Sequence, residues 1–188
     1  MSMADIEPRP IKDAQRTRQA ILEAAQDAFS VRGYRDTGVR DITARAGVSM
    51  ALVNRYFGSK EKLFEEALSD MLDATRIIDI PRDRFGEVIL ELLLKGVGPR
   101  YIPLPMIMMA SGDSGARAIT ERLLRQQVHE PLARWFGPQE GSVRATRFMI
   151  VSAGLTVYCR LYPLDTLVPE PDPAIRAWLV REFQALAD

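Results

Sequence analysis

The chain has 188 residues, 47% of them hydrophobic and 27% charged, which suits one large globular domain or two small ones sharing a core and excludes disordered or fibrous classes. No apolar run approaches the ~20 residues of a membrane span, the start MSMADIEPRP lacks a signal-peptide apolar core, and the single Cys159 permits no internal disulfide, so a soluble cytoplasmic protein with no membrane partner is expected. The formal net charge of zero hides an asymmetry: residues 1–62 carry 11 Lys/Arg against 8 Asp/Glu, and residues 63–188 carry 14 against 17, compatible with a polyanion partner for the front end alone.

Residues 1–11, with Pro8 and Pro10, read as a flexible arm. From Lys12 to Arg32 the apolar residues Ile21, Ala25, Ala28 and Phe29 recur at helical spacing until Gly33 stops the run. Val39 to Ala46 reads as a second, short helix broken by Gly47, and Met50 to Phe57 as a third. Ser59 then caps a fourth, whose Leu63, Phe64, Ala67, Leu68, Met71 and Leu72 make one apolar stripe. Residues 12–76 thus form a first domain with its connecting helix, and 77–188 a second. After a break at Pro81, Phe85, Val88, Ile89, Leu92 and Leu93 mark a fifth helix, ended by Gly96-Val97-Gly98-Pro99. The stretch IPLPMIMMAS reads as a short apolar helix after its prolines. Arg117 to Phe136 is long and amphipathic, with a kink expected at Pro131. FGPQEGS is a turn, Val143 to Tyr162 is helical, and Ala174 to Ala187 closes the chain. No segment alternates as a strand with hairpin signals. The expected fold class is all-α, about nine helices, without internal repeats.

The segment Arg40 to Phe64, RDITARAGVSMALVNRYFGSKEKLF, places two short helical runs around Gly47. Ile42 and Ala46 lie one turn apart on the first, Val53 and Phe57 one turn apart on the second, and Val48 sits between them. Gly47 takes the positive φ that ends a helix abruptly, and Ser49 is placed to cap the next one. This is helix-turn-helix grammar. Burying Val53 and Phe57 leaves Met50, Ala51, Asn54 and Arg55 outward, with Leu52 and Tyr56 on the flanks. Asn pairs with adenine, Arg with guanine or phosphate, and apolar groups with the thymine methyl. Beyond them, the amides of Gly58 to Glu61 and Lys60 form a candidate phosphate clamp.

The same residues resemble the DNA-binding domain of the tetracycline-repressor (TetR) family over about Thr17 to Leu68. The matching elements are Val39-Arg40-Asp41-Ile42-Thr43, the turn Ala46-Gly47-Val48-Ser49, the aromatics Tyr56-Phe57, and Lys60 opening helix 4. The resemblance implies a bacterial transcriptional regulator. It places Arg40, Met50, Leu52, Asn54 and Tyr56 at DNA-contacting positions and Lys60 at a phosphate-contacting one. Gly38 stands where the family often has a hydroxyl, Ala51 where Gly is common and Asn54 where Tyr is common, so no relative's operator sequence transfers.

Past residue 75 the resemblance is to layout only, and implies a helical domain that dimerises and often holds a small apolar ligand. Two local features bear on that. The helix Val143–Tyr162 is apolar on two faces: Phe148, Val151, Leu155 and Cys159 on one, Ile150, Gly154, Val157 and Leu161 on the other. A helix at the edge of a monomer needs only one. With Trp178, Leu179 and Phe183 of the last helix, Phe148, Val151, Gly154 and Leu155 are the expected homodimer interface; a central helix of a monomer is the alternative. Met106, Met108 and Met109 suit an adaptable apolar pocket, with Trp135, Phe148 and Tyr158 as further lining, although such clusters also serve as plain core.

The stretch GDSGA, Gly112–Ala116, imitates a serine-protease nucleophile motif, but the only histidine, His129, follows Ser114 in a helical context. A turn capped by Ser114 or Asp113 explains it. His129 and Cys159 lack recognisable metal-ligand partners, so no catalytic residue and no metal is expected. The reading is a sequence-specific, homodimeric repressor, released from a palindromic double-stranded operator by a small apolar effector, with no cofactor and no enzymatic activity. Its rivals are a ligand-independent architectural DNA binder and an all-α hydrolase.

Overall fold

The computed structural model describes residues 9–95 and 102–188. In chain order the helices are α1 (Arg9–Asp36), α2 (Val39–Ala46), α3 (Met50–Phe57), α4 (Lys60–Met71), the single turn α5 (Thr75–Ile78) and α6 (Phe85–Lys95). They continue with α7 (Leu104–Ala110), α8 (Ser114–Leu123), α9 (Glu130–Phe136), α10 (Gly141–Thr156) and α11 (Pro173–Ala187). A π turn, Leu124–His129, joins α8 to α9 in one rod, and another, Val157–Leu161, extends α10. With each rod taken as one helix and α5 as a turn, the described residues hold the nine helices expected, and no strand occurs among them.

Local chemistry sets the boundaries. Gly33, at φ 77° and ψ 173°, bends α1 where the apolar repeat stops, and Gly47, at φ 67° and ψ 32°, ends α2 in the left-handed conformation. The helix α1 begins at Arg9, so residues 9–11, expected as arm, are helical; residues 1–8 of that arm and the stop Gly96–Pro99 lie outside the described residues. Pro105 sits in the first turn of α7 rather than ahead of it, a place where its missing N–H costs nothing. The kink expected at Pro131 appears as the π turn just before it. Proline has no N–H to give the carbonyl four residues back, and the ladder rewinds there.

Two apolar cores result. One joins α1, α2, α3 and α4 through Ile21, Phe29, Ile42, Val53, Phe57, Phe64 and Leu68, and it also takes Met106 and Ala110 of α7 and Ala116 and Leu123 of α8. The other gathers Phe85, Ile89 and Leu90 of α6 with Leu132, Phe136, Phe148, Leu155, Leu179 and Phe183. The cores therefore do not divide at residue 77, because α7 and the start of α8 fold back onto α1 and α4. Val128, in the π turn, packs against both. Gly86 lets α6 approach α11 closely, since a Cβ there would meet the Val180 carbonyl at 2.3 Å. Glu91 ties the same two helices, accepting from Lys95 and Arg176, bonds that hold its carboxyl below the usual range.

Candidate nucleic-acid interface

The helices α2 and α3 are too short to be stable alone; the core beneath fixes them. Ile42, Val53 and Phe57 are buried there, with Ala46, Val48, Leu52 and Tyr56 packed partly against it. One face of α3 remains: Met50, Ala51, Asn54 and Arg55 are exposed, Leu52 and Tyr56 half-buried beside them. Ser49 and Arg40 are also exposed. The structure thus brings eight of the nine expected contacts onto one outward surface of α2, the turn and α3. The ninth, Lys60, is half-buried at the start of α4.

The charges nearby are of two kinds. Arg18 pairs with Glu66, Arg32 lies 3.5 Å from Asp41, and Arg45 lies 3.7 Å from Asp27. Arg40 and Arg55 have no ion-pair partner among the described residues. An unpaired guanidinium on an exposed face is free to fork onto a phosphate or a guanine edge.

Two capping expectations part company here. Ser59 caps α4, its Oγ accepting from the Lys62 amide at 3.2 Å. Ser49 occupies the N-cap position of α3, but its hydroxyl makes no cap bond; only its carbonyl engages, accepting from the Leu52 amide at 3.1 Å. The proposed amide clamp is also narrower than the sequence implied. The Gly58 N–H is spent on the Asn54 carbonyl at 3.0 Å, which leaves the amides of Lys60 and Glu61 as the open donors of α4.

Sequence reasoning missed Tyr34. Lys60 does not extend freely: its Nζ lies 4.3 Å from the centroid of the Tyr34 ring. That ring meets Phe64 edge-on at 5.2 Å and stacks on Phe29 at 5.9 Å. Burial, and then the charges of Glu61 and Asp113, push the Tyr34 phenol above its ordinary pKa. The available signal was an aromatic directly after the glycine that breaks α1.

The second domain distributes its candidates differently. Of the expected dimer residues, Phe148, Leu155, Leu179 and Phe183 are buried in the chain's own core. Those four are corrected from interface to core: of the two apolar faces of α10, the one carrying Phe148 and Leu155 meets α6 and α11. Val151 and Gly154 are half-buried, a Cβ on Gly154 would meet nothing within 4 Å, and Trp178 is 47% exposed. Beside them Ile150 is 66% exposed and Tyr158 48%.

The expected ligand residues do not converge on one cavity. Met106 is fully buried in the first core, whereas Met108 and Met109 are exposed on α7. Trp135 and Phe148 pack with Phe85 in the second core, at 4.9 and 6.2 Å between centroids, and Tyr158 faces outward. A half-open cleft of about 330 Å³ lies elsewhere, between α1, Arg45 of α2, Met71 of α4 and Ile102 before α7. The two domains touch along α4 and α8: Arg122 pairs with Glu65 at 2.8 Å, and Gln127 Nε2 donates to Ser69 Oγ at 2.7 Å, leaving its Oε1 buried without a partner.

Neither decoy gains support from its surroundings. Asp113 caps α8 by accepting from the Ala116 amide at 2.9 Å, so GDSGA is a helix start. His129 Nε2 lies 3.2 Å from the Ser142 carbonyl and the Thr146 hydroxyl, not beside a nucleophilic Ser114. Cys159 is buried, and burial raises its thiol pKa. No helix of the described residues is long and apolar enough to cross a membrane.

Comparison with known proteins agrees with this geometry. Residues 21–67 match the family described as bacterial regulatory proteins, tetR family, and residues 83–186 match the tetracyclin repressor-like C-terminal domain. The HTH-type transcriptional repressor Rv3405c of Mycobacterium tuberculosis is 40% identical over 87 residues, 41% of this chain and 46% of that protein. The chain thus spans less than half the length of that curated relative. Among solved structures, NalD, the secondary repressor of the MexAB-OprM multidrug efflux pump in Pseudomonas aeruginosa, aligns with a TM-score of 0.65 at 21% identity, covering 91% of this chain and 96% of that one. The multidrug binding protein EbrR, complexed with ethidium, aligns with a TM-score of 0.60 at 18% identity, covering 94% and 99%. At these identities the two structures speak to the fold.

Proposed function

The chain belongs to the tetracycline-repressor family of bacterial regulatory proteins, and on that premise we propose that it is a cytoplasmic, homodimeric repressor, without enzymatic activity, that a small apolar effector releases from a palindromic operator. The observation that carries the DNA-reading part is the surface of α3. Val53 and Phe57 are buried while Met50, Ala51, Asn54 and Arg55 stand exposed, beside the unpaired Arg40. In this reading Asn54 and Arg55 address base edges or phosphates, Met50 and Ala51 meet thymine methyls, and Ser49, Leu52 and Tyr56 seat the helix. Lys60, with the open amides of α4, takes a phosphate.

Two copies join through the outward face of α10 and α11, where Ile150, Gly154, Tyr158 and Trp178 lie exposed. A two-fold dimer places its two α3 helices in successive major grooves, ~34–36 Å or a multiple apart. The effector acts by preferring the conformation in which that spacing is wrong. The contacts that would carry the change are those of α8 on α4, Arg122 with Glu65 and Gln127 with Ser69. Support for an effector comes from EbrR, a neighbour in fold that was solved with ethidium.

The test is selection of binding sites from random duplexes. A recurrent two-fold symmetric site is expected. On it, Asn54→Ala is expected to reduce discrimination by ~1–3 kcal/mol at one position of each half-site. Equal weakening on every operator variant would remove Asn54 from base reading, and no preferred site at all would replace the repressor reading with an architectural one.

A further inference from the structure

We propose that Tyr34 is the positioning residue for Lys60, its ring holding the ammonium beside the open end of α4 so that the phosphate contact is set before DNA arrives. The inference rests on the reading of Lys60 as a phosphate contact.

Three features build the arrangement. The first is the bend. Gly33 turns the backbone at φ 77°, and Thr37 secures the turn, its buried hydroxyl donating to the Gly33 carbonyl at 2.7 Å and lying 3.2 Å from that of Ala28. A Cβ on Gly33 would find the carbonyl oxygen and the Cε of Met109 each at 3.2 Å, so α7 backs the bend from outside. The second is the ring's seat. Tyr34 rests on Phe29 and Phe64, both fully buried, so its orientation is fixed by the core rather than by solvent. The third is the cation. Lys60 Nζ stands 4.3 Å from the ring centroid, well inside the ~6 Å over which an aromatic face attracts an ammonium.

The physical consequence concerns entropy. A lysine is a point charge on a flexible four-carbon stem, and fixing it on a phosphate costs rotamer freedom. A ring that already gathers the stem near α4 lowers that cost. An attraction of this kind at an exposed site corresponds to about a 2–5-fold effect. Arg40 and Arg55, which have no ion-pair partner among the described residues, are the contrast: their contacts must be ordered on binding.

The experiment is a double-mutant cycle. Affinity and its salt dependence are measured on random-sequence duplex DNA and on the selected site for the parent, Tyr34→Phe, Tyr34→Leu, Lys60→Ala and the pair Tyr34→Leu with Lys60→Ala. Lys60→Ala is expected to lower the magnitude of the log K against log salt slope by about 0.9. Tyr34→Phe keeps the ring and is expected to bind as the parent does. Tyr34→Leu is expected to weaken binding about 2–5-fold in the Lys60 background, and to do nothing further once Lys60 is alanine. Thermal melts establish that each variant is folded; Tyr34→Met, which fills the space without a π face, replaces the leucine variant if that one is not. Equal weakening in both backgrounds would make Tyr34 a packing residue only. Tighter binding by Tyr34→Leu would mean that the ring parks the lysine away from DNA, and overturns the proposal. An unchanged slope for Lys60→Ala removes the phosphate contact itself, whereas a changed slope without coupling removes only the positioning role.

Discussion

The helix-turn-helix unit and the α10–α11 face present opposite surfaces to solvent. In the first, every large apolar group of α2 and α3 except Met50 is drawn wholly or partly into the core, and the exposed remainder is Arg40, Ser49, Ala51, Asn54 and Arg55. In the second, the core is filled by one side of α10 and α11 while Val143, Ile150, Tyr158 and Trp178 stay exposed. A surface of small, amide and guanidinium groups suits a wet, charged partner. A helix pair with apolar groups left over on its far side suits a second copy of itself, and contiguous apolar surface of this kind marks an interaction site. The same chain thus carries one face to hold another protein chain and one to hold something polar.

The largest effect that sharpens this contrast is expected from Phe64→Ala. Phe64 is fully buried and meets both Phe29 and Tyr34 edge-on at 5.2 Å. Truncating such a phenylalanine costs ~3–5 kcal/mol, and because it anchors α4 beneath the reading surface, DNA binding should fall with it. Urea denaturation monitored by circular dichroism gives the number. A loss under ~1 kcal/mol would mean that the first core is not what fixes α2 and α3.

Two glycines break the second face in different ways. A Cβ on Gly86 would meet the Val180 carbonyl at 2.3 Å and the Gln184 amide nitrogen at 3.0 Å, backbone atoms that cannot swing aside. Gly86→Ala is therefore expected to lower stability by ~1–3 kcal/mol, read as a lower midpoint in thermal melts. A Cβ on Gly154 meets nothing within 4 Å. In one protomer, Gly154→Leu should fold undisturbed; across a two-fold axis it adds two bulky groups at once, and sedimentation should show monomer where the parent is dimer. A Gly154→Leu protein that stays dimeric and binds its site normally would move the interface off this face.

The sequence was more legible in the first region than in the second, for physical reasons. The bounds of α2 and α3 follow from Gly47 and Gly58, and both glycines have positive φ, at 67° and 79°. Each of these short helices has one apolar side, so burial had a single solution. On α10 there are two apolar sides, and periodicity cannot say which one is inside. That choice rests on contacts with α6 and α11, far away in sequence, and it is why Phe148, Leu155, Leu179 and Phe183 were expected at the interface and sit in the core. Met106 was misplaced for a related reason: α7 folds back across α1, a long-range contact that no local pattern encodes. The role of Tyr34 was hidden because it depends on where Lys60 returns in space, not on spacing along the chain.

The smallest expected effects come from the two serines that open α3 and α4, which share one sequence role and differ in structure. Ser59 Oγ accepts from the Lys62 amide, so Ser59→Ala leaves a helix donor without its cap and is expected to cost ~1 kcal/mol, within the 0.5–2 kcal/mol typical of capping residues. The Ser49 hydroxyl makes no cap bond; removing it from the free protein should change stability by no more than ~0.5 kcal/mol, the range of an ordinary surface substitution. An exposed hydroxyl at a helix start that does not serve its own helix is available to a phosphate oxygen. Ser49→Ala is therefore expected to weaken binding alike on the selected site and on random DNA, while Ser59→Ala lowers the melting midpoint. Paired melts and binding isotherms separate the two. If Ser49→Ala destabilises the free protein as much as Ser59→Ala does, its hydroxyl is a cap after all, and the reading surface ends at Met50.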